Sequence, residues 1–304
     1  MSDAPVWMQQ RECGSLFWLR VMCTCSLRLG RRLTRPVVYL IAAYFLLAKP
    51  AARRASRAYL ARVLTHPPGV ADVYRHIFSF AATIHDRVFL LNDRLDAFHF
   101  ESHGRERLDA CQAGQGGALL FGAHFGSFEV MRTLARSEVP YRVSLTMYPD
   151  NARQINATLA AINPAVVADI IPLGRLDAML AVSERLDEGG MVGILADRAS
   201  GHDRYLQIPF LGSPAPFPTG PFRMAAMLRR PVFFIAGVYL GGNHYAIHFE
   251  PIADFSQTSP DQRNTAISEA MHNYAATLER HCRAAPCNWF NFFDFWNPAH
   301  GDQA

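Results

Sequence analysis

No apolar run in the sequence is long enough to cross a bilayer. The longest, Val37 to Ala48, is twelve residues set between Pro36 and Lys49, whereas a spanning helix needs about 20. Nor does this run resemble a cleavable leader. It begins late, and Lys49-Pro50 with the arginines behind it offers no small-residue cleavage site. The expectation is a chain whose bulk stays in the cytoplasm. The six cysteines lack metal-ligand spacing: Cys23 and Cys25 are one residue apart, and Cys282 to Cys287 is too wide for CxxC. A 304-residue chain does not need a disulfide scaffold, so reduced thiols are expected. A G-x-S-x-G nucleophile elbow is also missing. Gly126-Ser127-Phe128 does not fit that frame, which argues against an α/β hydrolase.

The most uneven absence is of acids. None occurs between Glu12 and Asp72. Residues 1–62 carry ten Arg and Lys49 against Asp3 and Glu12, a net +9. Residues 63–304 carry nineteen Arg against twenty-four acids, a net −5, so the overall +4 conceals two halves of opposite sign. Such asymmetry points to an anionic partner, either nucleic acid or a membrane. What is abundant is apolar: 50% of residues are hydrophobic, which excludes global disorder and leaves ample chain for a core.

Leu16 to Leu33 reads as a basic helix with Arg28, Arg31, Arg32 and Arg35 on one face, Pro36 bounding the last turn. The twelve-residue apolar run follows, and Ala51 to Leu64 reads as a second basic helix. Trp7, Phe17, Trp18, Tyr39, Tyr44 and Phe45 supply aromatics suited to a membrane interface. Residues 1–65 are therefore read as a membrane-associating helical segment lying in the headgroup layer. The plainer alternative is helices packed on the core with a solvated basic face. A nucleic-acid partner fits the charge, but the apolar run is a poor match to a phosphate-facing helix.

Residues 66–304 read as one α/β domain. A long amphipathic helix over 69–93 is followed by apolar strand-like runs that alternate with helical stretches, ending in a helix from Asp261 to Arg283. The strand-like runs include Ala118–Gly122, Arg142–Met147, Met191–Ala196, Val232–Leu240 and His244–Glu250. Pro214, Pro216 and Pro218 read as an extended loop.

Gly122-Ala123-His124-Phe125-Gly126-Ser127-Phe128-Glu129 carries the most chemistry. It follows an apolar strand, and in open α/β sheets functional groups collect where strands end. A turn through Gly126 can fold Glu129 back onto the His124 imidazole, fixing its tautomer and raising the basicity of the other nitrogen. The alternative is a structural histidine with Glu129 as an acid favoured at a helix start. His99 with His103, and His244 with His248, stand at i, i+4, but their surroundings read as strand or turn, and no metal is assigned to them. The six aromatics of Trp289–Trp296 could line an acyl channel; closing the core is the commoner use.

The N-terminal hydrophobic-basic segment, the His-x4-Glu after a strand, Gly30-Arg31-Arg32, Tyr44-Phe45 and the terminal Trp289–Trp296 together resemble the lysophospholipid acyltransferase superfamily. The closer match is its lipid A biosynthesis (lauroyl/myristoyl) branch, and within it a subgroup associated with aryl polyene or xanthomonadin-type lipids. The resemblance covers nearly the whole chain. It implies a glycerolphosphate-acyltransferase-like fold, with a mixed central sheet covered by helices. It implies acyl transfer from an acyl carrier protein or coenzyme A thioester to a lipid or glycolipid hydroxyl, with no cofactor, at the cytoplasmic face of the inner membrane. His124 then matches the general base and Glu129 its orienting partner. Asp197 matches an acid after a strand, and Arg175 stands near an arginine that binds the anionic part of the substrate. Arg175 could equally be a solvated helix-start arginine, and Asp197 an ordinary turn acid.

Where that branch usually has Asp-Gln or Asp-His, this chain has Asp197-Arg198, which puts the lipid A precursor in doubt as acceptor. Arg175, Asp197 and Arg198 form the expected substrate-binding set, with backbone N–H groups around Gly126 and Ser127 as donors to an oxyanion. No metal is needed, because a thioester is already activated and its attacker needs only a base. The competing reading is a non-enzymatic lipid-binding adaptor at the membrane surface.

Overall fold

Leu119, Leu120, Phe121 and Gly122 are all buried, the burial expected of a strand covered on both faces. They form β2 (Leu119–Gly122) at the centre of a computed structural model. The structure describes residues 16–113, 116–130, 142–163, 169–174, 177–198 and 204–296. Arg175 lies outside the described residues, as do Trp7 and the other residues before 16.

The other strands of the main sheet are β1 (His99–His103), β3 (Val143–Met147), β4 (Ile170–Pro172) and β5 (Met191–Leu195), with β8 (Pro231–Gly241) and β9 (His244–Asp254). Their order is β1-β9-β8-β2-β5-β3-β4. Only β8 and β9 pair antiparallel; the remaining neighbours are parallel. The sheet is thus mixed, as expected. Alternation along β2 divides the core. Leu119 and Phe121 face one cluster with α8 (Gly220–Leu228) and α9 (Arg263–Ala284), where Phe121 meets Phe222 and Tyr274 edge-on. Leu120 faces a second cluster with Val88 and Phe89 of α4 (Val70–Leu90).

Residues 213–218 differ from expectation. They form β7 (Ser213–Pro218), paired antiparallel with β6 (Tyr205–Phe210) in a separate two-stranded sheet. Pro214, Pro216 and Pro218 alternate along β7, so all three fall on the same side of the strand, as an edge strand tolerates.

The N-terminal helices are α1 (Leu16–Leu29), α2 (Arg31–Ala48) and α3 (Pro50–Val63). Gly30, at φ 81°, breaks the expected basic helix, and α2 runs through Pro36 to absorb the whole apolar run. The consequence is a correction to the arginine face. Arg28 and Arg32 are exposed, but Arg31 and Arg35 turn inward to Asp86 of α4, which has no solvent exposure. Arg31 donates through Nε to Oδ1 at 2.8 Å and through Nη2 to Oδ2 at 3.0 Å, and Arg35 Nη1 donates at 3.1 Å. Tyr245 completes the shell with an O–H···Oδ2 bond of 2.8 Å. Burial acts to raise the Asp86 pKa, but His85 and the two guanidiniums outweigh it and hold the carboxyl below its ordinary value. These helices pack into the body: Tyr59 and Leu60 of α3 share the core cluster of Phe121. The α2 and α3 axes bend by 97°, and no single described helix is long and apolar enough to cross a membrane.

Removing the Asp86 carboxylate strands two arginines whose side chains are each only 13% exposed. Asp86→Ala is expected to lower unfolding free energy by roughly 3 kcal/mol, the low end for a broken buried pair. Urea denaturation measures this. A wild-type midpoint would contradict the anchoring role.

Candidate active site

Two adjacent parallel strands aim the site. β2 and β5 pair in register with Gly122 opposite Leu195. Two residues beyond that pair, on each chain segment, stand His124 and Asp197. The ends of parallel strands therefore bring together residues 73 positions apart in sequence.

His124 and Asp197 meet through two bonds. The His124 backbone N–H donates to Oδ2 at 3.0 Å, and ring Nδ1 lies 2.9 Å from Oδ1. The Trp289 indole N–H adds a third, to Oδ2 at 3.1 Å. Burial acts to raise the Asp197 pKa, but His124, Arg198 and the His124 backbone N–H overcome it and hold the carboxyl well below the usual range. An ionised carboxylate only accepts, so Nδ1 must carry the proton. Nε2 then holds the lone pair, on a side chain that is 34% exposed. Burial and the nearby Arg198 charge lower the His124 pKa, against the opposing pull of Asp197. The ring is thus neutral at physiological pH and able to take a proton.

Arg198 is fixed from behind. Its Nη2 donates to the Phe290 carbonyl at 2.9 Å, and its guanidinium lies 4.9 Å from the centre of the Phe293 ring. Burial brings its pKa down to about 10, which leaves it charged at neutral pH.

Glu129 does not occupy the position that the spacing suggested. It lies 2.8 Å from Arg87 Nε of α4, and among the described residues no hydrogen bond or ion pair joins it to His124. The helix that starts after Ser127 carries Glu129 to α4, and the carboxylate on the imidazole is instead Asp197. The expected oxyanion donors also need correction. Gly126 N–H donates to the Asn288 carbonyl at 2.8 Å, and Ser127 N–H to the Gly237 carbonyl at 2.7 Å. These N–H groups pin the turn to the sheet and to the C-terminal segment, so they are engaged within the fold.

Trp289 is the functional residue that the sequence reading undervalued. It is fully buried, edge-on to Tyr59, Phe210 and Phe295, as a core aromatic would be. Yet a buried indole needs a partner for its N–H, and that need was the available signal. Its carbonyl is held by His76 Nε2 at 2.8 Å, while His76 Nδ1 meets Ser56 Oγ at 2.8 Å. The antiparallel bridge Phe125–Trp289 and the Phe290 N–H to His124 carbonyl bond, 2.8 Å, tie this segment directly to the loop.

A family model described as bacterial lipid A biosynthesis acyltransferase matches residues 12–297. The chain belongs to that family. As a member of it, the chain is an enzyme of acyl transfer in lipid biosynthesis, acting between an acyl donor and a lipid acceptor. The reading as a non-enzymatic adaptor therefore falls. Comparison with curated proteins finds no match.

In this acyltransferase the turn at Gly126 tolerates no side chain. Its φ is 68°, and a Cβ there would stand 2.0 Å from the Gly237 carbonyl oxygen. Gly126→Ala is expected to cost more than about 1 kcal/mol and to lower turnover by displacing His124. Thermal denaturation and an acyl-transfer assay, read together, check this; wild-type values in both would refute the constraint.

Proposed function

We propose that the enzyme moves a fatty or aryl-polyene acyl group from an acyl carrier protein or coenzyme A thioester to a hydroxyl of a lipid or glycolipid. The supporting observation is the Asp197–His124 contact, which leaves Nε2 as an accessible base. The acceptor hydroxyl hydrogen-bonds to Nε2 and loses its proton as its oxygen attacks the thioester carbonyl. The tetrahedral oxyanion develops near Arg198, whose charge stabilises it. Collapse expels the thiolate, which takes the proton back from His124. Arg198, at the position where lipid A enzymes usually have a neutral or titratable side chain, favours an acceptor other than the lipid A precursor, in keeping with a polyene-type lipid.

The reaction is placed at the cytoplasmic face of the inner membrane, with the protein bound peripherally or monotopically. Leu29, Leu33, Val37, Leu40, Tyr44 and Leu47 recur every three or four residues and are all exposed, with Arg28 and Arg32 beside them. An apolar stripe flanked by arginines suits an in-plane contact with anionic lipid.

Three measurements test this. His124→Ala should lower kcat by roughly 10²–10⁴-fold with the fold intact; full activity would refute the assignment. The acid limb of kcat/KM should lie below the ordinary imidazole value of about 6.5, since activity is lost as pH falls through the depressed His124 pKa. Asp197→Asn should move that limb lower still, because the carboxylate raises the His124 pKa, whereas Glu129→Gln should leave its position unchanged. Leu40→Glu with Leu47→Glu should reduce co-sedimentation with anionic vesicles without altering thermal stability; undiminished binding would remove the stripe from the membrane contact.

A further inference from the structure

The far side of the sheet from β5 gathers a second set of ionisable groups that the acyl-transfer chemistry does not use. His248 and Glu250 stand two residues apart on β9, so they share one face of the sheet. His281, in the last turn of α9, reaches down onto the same face, and its Nε2 meets Glu250 Oε1 at 2.6 Å. One ligand atom from each of the three lies within 4.8 Å of the other two.

The donor chemistry is that of a transition-metal site. Two imidazoles and a carboxylate are a common zinc set, with ligand bonds of about 2.0–2.2 Å, which places tetrahedral donors roughly 3.4 Å apart. Separations of up to 4.8 Å need closing by as much as about 1.4 Å, within the reach of side-chain torsions. We propose that His248, Glu250 and His281 bind a divalent cation of the zinc type, stapling α9 to β9.

The hydrogen bond between His281 and Glu250 does not by itself account for the cluster. It leaves the His248 ring nitrogens without a hydrogen-bond partner among the described residues, with the ring edge-on to His281 at 4.8 Å. The neutral imidazole is the form that ligates a metal. Ion binding replaces the proton shared between His281 and Glu250, and that proton leaves to solvent. Arg280 opposes a cation through its ion pair with Glu250 Oε2, but its side chain is 57% exposed and screened, and Oε1 is the oxygen that faces His281. His103 of β1 stacks on His248 at 4.8 Å and 22° and lies outside the three-residue set. The site bears on the active loop through packing: the His281 ring stacks on Phe234 at 5.1 Å and meets Phe125, next to His124, at 5.9 Å.

The test uses tag-free, full-length protein stripped with a chelator and titrated calorimetrically with zinc chloride. One equivalent should bind, the thermal midpoint should rise, and cobalt(II) should give the intense visible bands of a tetrahedral ion. His248→Gln and Glu250→Gln, checked for wild-type circular dichroism without metal, should each weaken zinc binding at least tenfold, while His103→Gln leaves it unchanged. A wild-type protein that takes up no zinc would overturn the site, whatever the variants do. So would zinc uptake at wild-type affinity by both His248→Gln and Glu250→Gln.

Discussion

Asp197 keeps a negative charge at a position with no solvent exposure, and the geometry of the candidate site follows from how that charge is compensated. An isolated buried carboxylate would cost several kcal/mol or take up a proton. Here it accepts from the His124 backbone, the His124 ring and the Trp289 indole, and it stands beside Arg198. The groups involved come from three segments: His124 after β2, Asp197 and Arg198 after β5, and Trp289 after α9. Satisfying one carboxylate therefore fixes the imidazole tautomer, docks the C-terminal aromatics and sets Arg198 in place. The aromatic packing around Trp289 excludes the water that would otherwise weaken these bonds.

Asp86 repeats the same logic on α4. It too is fully buried, and it too gathers donors from distant segments, here Arg31 and Arg35 of α2 and Tyr245 of β9. The first 62 residues thus use their excess positive charge in two ways. Part is consumed inside, anchoring α2 to α4 and the sheet. Part, with Arg28 and Arg32, stays outside beside an apolar stripe. Net charge by segment could not separate these uses, because it sums over arginines that face opposite ways.

Strand identity was legible wherever a short apolar run met a turn, as at Leu119–Gly122, Met191–Leu195 and Pro231–Gly241, because burial on both faces demands that composition. His124 was legible for the same reason: it follows such a run. Its partner was not. A spacing of five residues invites a local pairing with Glu129, while the actual contact depends on β2 and β5 being neighbours. Strand order is a long-range property, and no local pattern around His124 encodes it. Trp289 hid differently, since six aromatics in eight positions read as bulk packing, and the need of a buried indole for a partner applies to Trp289 and Trp296 alike without naming the acceptor. Pro214, Pro216 and Pro218 misled through composition: proline removes donors, but at alternating positions of an edge strand those donors face away from the partner.

Arg198 acts on the two ends of the proposed reaction in opposite directions. In the resting site its charge lowers the basicity of His124, which weakens the base. Along the reaction coordinate negative charge grows on the carbonyl oxygen, and the same cation then stabilises it. Unit charges about 5 Å apart at an effective dielectric of about 20 interact by roughly 3 kcal/mol. The loss at the base is partly restored by Asp197, which pulls the His124 pKa back up. The gain at the oxyanion arises only along the reaction coordinate, because the charge is absent in the ground state. In the proposed mechanism a buried carboxylate and a partly buried guanidinium on successive residues divide the work: Asp197 would keep the imidazole basic enough to take a proton, and Arg198 would favour the transition state.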